Sequence, residues 1–149
     1  MFDIRFVDAP PEPLEEVGFG LWGEVTLGEY RERFLAPLVV WSRERYEQQW
    51  REAAVRFLEG AERTAFFTVA WQFWWTMARE GQDVLVQEEL ITGERAAMLG
   101  PAPDPNVVPY ELLQPIRLRS EDGQHISTWH VTLADVASFA ARHREGGAA

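Results

Sequence analysis

The chain has 149 residues, no cysteine and a formal net charge of −10. This length fits a single domain over residues 1–149, which would bury about two thirds of the surface of its unfolded chain. The absence of cysteine excludes disulfides, thiolate metal sites and a thiol nucleophile, and it suits a reducing compartment such as the bacterial cytoplasm. The start of the chain does not read as a signal peptide, and the uncharged aromatic stretch 64–78 is too short to span a bilayer. We therefore expect a soluble, cytoplasmic protein without membrane contact.

The negative charge is concentrated in two blocks. Residues 1–36 contain eight acidic and three basic residues, and residues 79–122 contain nine and four, so each block carries −5. A field of this sign repels phosphates and attracts basic proteins, which argues against direct nucleic-acid binding. An acidic surface that only keeps the protein in solution is the alternative interpretation.

The first 60 residues predict an irregular segment, a strand and a helix. Residues 1–17 are acidic and end in a Pro-rich stretch, which predicts an irregular lead-in. Alternation in "LWGEVTLGEY" indicates a strand. Ser42 is a good helix N-cap, and apolar residues recur at helical spacing from Tyr46 until Gly60 ends the pattern.

The second half of the chain predicts antiparallel strands. The runs "TAFFTVAW", "FWWTMAR" and "DVLVQEELI" are β-rich, and "EGQD" joins the last two as a hairpin. Further on, "PIRLRS" and "QHISTWHV" flank "EDG", which predicts a second hairpin with Gly123 at positive φ.

A last helix completes the predicted fold. Thr132 and Asp135 form an N-cap pair, and an apolar stripe follows them at helical spacing. We expect residues 145–149 to be a disordered tail. The predicted fold class is therefore α+β, with an antiparallel sheet and two main flanking helices.

The stretch "EDGQHISTWHV" contains two of the three histidines and a serine, so a hydrolytic site there has to be considered. Successive side chains of a strand point to opposite faces, which places His125 and Ser127 on one face and His130 on the other. The two histidines therefore cannot converge as metal ligands, and side chains two apart on one strand, such as His125 and Ser127, rarely meet head to head as a Ser-His-acid site requires. The adjacent acids Glu88 and Glu89 are separated in the same way and form no acid/base pair without outside partners. We predict no catalytic residue, no metal site and no cofactor.

The seven tryptophans are the most unusual feature of the composition. Packing in the core and on the sheet is the usual role of residues such as Trp71, Trp74 and Trp75, but they could also line a groove for a sugar or peptide. A small-ligand binding protein or an enzyme with a Trp-lined pocket therefore stays open. A structural or regulatory subunit with a large apolar self-interface is the other alternative.

Several sequence features occur in an order that indicates a family. They are a Y-x-E-x-F-x-x-P-L-x-x-W segment from Tyr30 to Trp41, a Y-x-x-x-W helix start at Tyr46, a V-x-V-Q strand at Val84, and a D-G-x-x-I-S-x-W hairpin from Asp122. In these features the chain resembles the immunity proteins of bacterial contact-dependent growth inhibition (CDI) systems, the CdiI family. It departs from the pattern at Thr128, where an acid is expected, and in the aromatic cluster 73–75.

The resemblance implies a cytoplasmic antidote that is not an enzyme. Such a protein binds the C-terminal toxin domain delivered by a neighbouring cell, often a nuclease, and blocks its active site or the approach of its substrate. An acidic surface suits this role, because a nuclease must be basic to hold phosphates. The implied fold is a curved antiparallel sheet, similar in outline to Whirly-type single-strand nucleic-acid binders, whose basic groove this chain lacks.

The second acidic block supplies the candidate toxin-binding residues. They flank the hairpin strands and the long loop, where partner-specific side chains do not disturb a core: Glu88, Glu89, Glu94, Asp104, Glu121 and Asp122. The first block, with Glu12, Glu15 and Glu16, is the rival surface. The chemistry of the toxin and the oligomeric state of this chain stay open at this point.

Overall fold

The computed structural model describes residues 1–14, 18–69, 73–90, 97–98 and 107–147. In this part of the chain, eight strands form two four-stranded antiparallel sheets, accompanied by two helices. The elements are β1 (Phe2–Phe6), β2 (Glu12–Leu14), β3 (Gly18–Leu27), β4 (Tyr30–Pro37), α1 (Arg43–Leu58), β5 (Arg63–Val69), β6 (Phe73–Glu80), β7 (Asp83–Leu90), β8 (Trp129–Thr132) and α2 (Leu133–Gly147). The predicted α+β class with two helices is confirmed, although the strands divide into two sheets where the sequence indicated one.

The first sheet contains β1 to β4, with β3 at its centre. The predicted irregular lead-in over residues 1–17 is wrong, because β1 and β2 both lie in this range and pair with β3. Phe2 and Ile4 are 1% and 0% exposed. The five residues of β1 alternate apolar and charged side chains, as a half-buried strand does, but the prolines that follow hide this short pattern.

The second sheet has the order β5-β6-β7-β8 and contains the predicted meander. Gly81, at a φ of 61°, lies in the turn between β6 and β7. Trp74 and Trp75 are 0% and 1% exposed, so the core-packing interpretation of these two residues is confirmed. Trp71 lies outside the described residues.

Helix α1 begins as the sequence predicts, since the Ser42 Oγ accepts a hydrogen bond from the Arg45 N–H at 3.2 Å. Its buried face closes the outer edge of β5. The Gln49 side chain donates to the Ala65 carbonyl at 2.8 Å and accepts from the Phe67 N–H at 3.0 Å, and Trp50 Nε1 donates to the Phe67 carbonyl at 2.8 Å. These bonds satisfy backbone groups that an open edge strand would leave exposed.

Helix α2 has the predicted N-cap pair. The Thr132 N–H donates to Asp135 Oδ2 at 2.9 Å, and the Asp135 N–H donates to Thr132 Oγ1 at 3.0 Å. The helix continues to Gly147, so residues 145–147 of the predicted tail are part of this helix. No helix breaker precedes the two glycines at its end, and residues 148–149 lie outside the described range.

The second predicted hairpin forms only in part. Gly123 has a φ of 78°, as expected, and one bridge joins Arg119 to His125. The regular strand is confined to β8, which pairs with β7 instead of with residues 115–120. The Gln87 side chain donates to the Arg117 carbonyl at 2.7 Å and to Thr128 Oγ1 at 2.8 Å. This contact holds both arms of the turn against β7 and replaces regular pairing between the arms.

Candidate functional site

The six acidic candidates do not form one described patch. Glu88 and Glu89 follow one another on β7, and Glu121 and Asp122 occupy the turn between residues 119 and 125. Glu94 and Asp104 lie outside the described residues. The described part of the chain therefore offers two acidic locations, one at the end of β7 and one at the turn.

Glu88 is a half-buried carboxyl group between the two sheets, and not a charge at the rim. It lies opposite Trp75 in the β6–β7 register, and its Oε1 accepts a hydrogen bond from Trp75 Nε1 at 3.1 Å. Burial, followed by the hydrogen bond and the charge of the neighbouring Glu32, raises the pKa of Glu88 to about 7. At neutral pH this group is therefore partly protonated and contributes less than a full charge to the surface.

The sequence did not single out Glu32 as a site residue, although its carboxyl group is the neighbour of the Glu88 carboxyl group. Its position in β4 is opposite Val25 of β3, which is 0% exposed, so Glu32 lies on the apolar face of the first sheet. The signal was present in the alternation of Tyr30, Glu32 and Phe34, which puts an acid in the middle of an aromatic face. The sequence does not show which residue of the second sheet contacts this acid; the packing of the two sheets identifies it as Glu88.

Alternate side chains of β4 contact three strands of the second sheet in turn. We call this line of contacts the seam. Tyr30 stacks on Trp129 of β8 with ring centroids 4.8 Å apart. Glu32 meets Glu88 of β7. Phe34 contacts Trp75 of β6 with centroids 5.3 Å apart, and Trp75 is 1% exposed. The seam therefore runs from the exposed ring of Tyr30 to the buried core, with the acid pair at its middle.

Glu89 points to the opposite face of β7, because side chains alternate along a strand. This face also carries Gln87, whose bonds to Arg117 and Thr128 hold the two arms of the turn at Gly123 against β7. Glu89 is itself half-buried. A charge reversal at Glu89 would therefore affect packing as well as the surface field.

Glu121 and Asp122 have the opposite character, since both are exposed on a turn whose backbone is fixed. The Gly123 N–H donates to the Ser120 carbonyl at 2.9 Å, and Arg119 Nη1 donates to the Gly123 carbonyl at 3.0 Å. Ordered backbone with solvated carboxylates is suited to steering a partner by charge.

The rival acidic block is only partly described. Glu12 is exposed on β2, and its carboxylate accepts a hydrogen bond from Trp22 Nε1 at 3.4 Å. Glu15 and Glu16 lie outside the described residues. Glu12 therefore belongs to an ordered strand, and not to a mobile lead-in.

The histidines lie apart from one another. His125 and His130 are exposed, and His130 is paired with Leu85 in the β7–β8 register. His143 of α2 lies elsewhere, with its Nε2 3.2 Å from Asp3 Oδ1. Across the part of the chain that the structure describes, no group of three or more His, Cys, Asp or Glu residues is placed to hold a metal ion.

An open groove of about 550 Å³ lies between the two helices. It is lined by charged side chains and Val55 of α1 and by Ala137, Ala140 and Ala141 of α2. No tryptophan lines this groove, and both described members of the Trp71–Trp75 cluster are buried. No helix within the described ranges is long and apolar enough to cross a membrane.

Comparison with known proteins places this arrangement in a family. Residues 36–139 match the family model described as the CdiI N-terminal domain. The fold is similar to that in a solved structure described as a CdiA-CT/CdiI toxin and immunity complex from Enterobacter cloacae, with a TM-score of 0.79 and 21% sequence identity over 97% of this chain and 99% of that chain. No match was found among curated proteins. Because the family model covers well over half of the sequence, the chain belongs to the CdiI family of immunity proteins, as its motifs predicted.

Proposed function

We propose that this CDI immunity protein binds the toxin domain of its cognate CdiA protein in the cytoplasm and neutralises it by blocking its active site or the approach of its substrate. The observation that carries this proposal is the match of residues 36–139 to the CdiI family. The similar structure from Enterobacter cloacae is described as a complex of toxin and immunity protein, which supports a direct protein partner.

The net charge of −10 supports a basic toxin, and a nuclease is the toxin class that fits best. A nuclease needs positive charge to hold phosphates, and an acidic protein is attracted to that same surface. Complementary fields of this kind raise the association rate, whereas a few buried contacts set the dissociation rate.

Within the acidic candidates, Glu121 and Asp122 fit the role of steering charges best. Both are exposed on a fixed turn, so they act on a partner at low cost to the fold. Glu88 and Glu89 are half-buried, and reversing their charge would disturb the protein itself. Glu94 and Asp104 remain candidates in the long segment that follows β7.

The experiment is a measurement of binding kinetics against the cognate toxin domain at several salt concentrations. The test variant is the double change Glu121→Lys with Asp122→Lys. The matched control is Glu59→Lys with Glu62→Lys, which changes the charge by the same amount at two exposed residues after α1. We expect the test variant to associate several-fold more slowly at low salt, with a flatter salt dependence and a nearly unchanged dissociation rate.

Equal effects of the test and control variants would mean that only the net charge matters and that the turn does not face the toxin. Strong effects from Glu12→Lys, with none from the turn variant, would move the interface to the first acidic block. A toxin that shows no nuclease activity, yet is still bound and inhibited, would contradict the nuclease assignment and leave the immunity role intact.

A further inference from the structure

We propose that Glu32 and Glu88 share a proton that closes the seam between the two sheets, and that the seam loosens when this proton is lost. This inference concerns the free protein, so it is independent of toxin binding. It makes the acid pair a pH-sensitive element of the fold and not a contact for the toxin.

The geometry of the seam fixes both carboxyl groups in place. On the β4 side, Glu32 is held between Tyr30 and Phe34, whose rings contact Trp129 and Trp75 of the other sheet at 4.8 Å and 5.3 Å. On the β7 side, Glu88 is held by the hydrogen bond from Trp75 Nε1. The ring contacts therefore hold the β4 backbone at Glu32 against the second sheet, and the bond from Trp75 orients the Glu88 carboxyl group.

The Tyr30 hydroxyl is hydrogen-bonded to Glu32, and Trp75 Nε1 donates to Glu88, but no donor joins the two carboxyl groups when both are ionised. Oε2 of Glu32 is shielded from solvent and accepts no hydrogen bond from any described protein group, while Oε1 of Glu88 already accepts from Trp75. Two ionised carboxylates can only accept hydrogen bonds, so neither could bond to the other. As neighbouring like charges they would also repel each other. A single proton on either group supplies the donor that joins them, as in other paired carboxyl sites.

No positive charge compensates the pair within the described ranges. The seam presents Tyr30 and Glu32 from β4, Glu88 from β7 and Trp75 from β6, and it presents apolar atoms of Val25 from β3 and the ring of Trp129 from β8. Burial, followed by the charges of Glu32 and Glu88, also raises the pKa of Tyr30, which therefore stays neutral. The proton, and not an arginine, must then offset the second negative charge.

The direction of the pH effect follows from the pKa of Glu88, which rises from 4.5 to about 7 in the folded protein. Between these values the unfolded chain has released its proton while the folded protein still holds it. Stability from this source is therefore complete below about pH 4.5, decreases as the pH rises, and is lost above about pH 7.

The test is thermal unfolding of the full chain between pH 5 and 8.5 for the wild type, Glu88→Gln and the exposed control Glu121→Gln. A glutamine amide can donate to Glu32 at every pH. As the pH rises from 5 to 8.5, we therefore expect the melting temperature of the wild type to fall by several degrees more than that of Glu88→Gln. Glu121→Gln should keep the wild-type profile. Parallel profiles for the wild type and Glu88→Gln would overturn the proposal.

A second measurement, made on the wild type, covers the case in which Glu88→Gln does not fold. Hydrogen exchange of β4 and β7 amides, corrected for the intrinsic effect of pH, should be faster at pH 8 than at pH 6, while α1 amides should change little. Glu32→Gln should remove this difference. Equal changes in β4, β7 and α1 would show that the seam does not respond to the proton, and would contradict the inference.

Discussion

The turn at Glu121 and Asp122 and the seam at Glu32 and Glu88 each bring two acidic residues together, but they do so in opposite surroundings. The turn carboxylates are solvated on a fixed backbone, whereas the seam carboxyls lie between two sheets and share their space with aromatic rings. Exposed charges act at long range and hardly alter the fold. Half-buried charges act on the fold itself, so formal charge alone does not identify the residues that face a partner.

The largest effect is expected in the core that supports both regions. Trp50 is 0% exposed and donates to the Phe67 carbonyl, so Trp50→Ala should lower the free energy of unfolding by about 3–5 kcal/mol. Trp129 is only half-buried against Tyr30, so Trp129→Ala should cost less, about 1–3 kcal/mol. Urea unfolding of both variants measures the difference, and an equal loss would mean that Trp129 is as central as Trp50.

Charge reversal should affect the free energy of unfolding very differently in the seam and in the turn. Glu88→Lys replaces a group hydrogen-bonded to Trp75 with a longer cation, and it should lower the free energy of unfolding by about 1–3 kcal/mol. A fully exposed glutamate at this position would allow the same change with near-normal stability, so the loss reports on the burial of Glu88. A Glu88→Lys variant that unfolds at the wild-type urea concentration would show that the seam adds little to stability.

The same reversal at the turn should leave the fold almost unchanged. Glu121→Lys with Asp122→Lys should shift the free energy of unfolding by less than about 0.5 kcal/mol, while it slows association with the toxin. Thermal unfolding and binding kinetics on one preparation separate the two effects. A clear loss of stability in this variant would show that the turn carboxylates also support the fold, which would contradict the difference drawn between turn and seam.

The smallest effect is expected at the histidines. Because His125 and His130 are exposed and lie apart, His125→Asn with His130→Asn should leave stability and toxin neutralisation near the wild-type level. The measurement is inhibition of toxin activity at a fixed toxin concentration. Loss of inhibition in a variant that still folds would place these residues in the interface.

The features that the sequence predicted well are those set by neighbouring residues. Ser42 and the pair Thr132 and Asp135 cap their helices by accepting hydrogen bonds from backbone N–H groups three residues away, and Gly81 lies in the predicted turn. These signals act within a few residues of the chain, so they can be recognised in the sequence without the tertiary structure.

The features that it missed depend on contacts between distant segments. The strand at Phe2–Phe6 is stabilised by pairing with β3, and the role of Glu32 depends on β7, more than 50 residues further along the chain. The arms of the second hairpin share one bridge, and the side chain of Gln87 on β7 bonds to both of them. In each case the deciding partner lies outside any local window of sequence.

The central claim is that this protein neutralises a CdiA toxin domain by binding it. The most direct measurement is a titration of the purified cognate CdiA toxin domain with this protein, with complex formation and toxin activity followed in the same samples. We predict a tight complex and loss of activity that is complete at one immunity protein per toxin. Full toxin activity in the presence of excess immunity protein, with no detectable complex, would contradict the account.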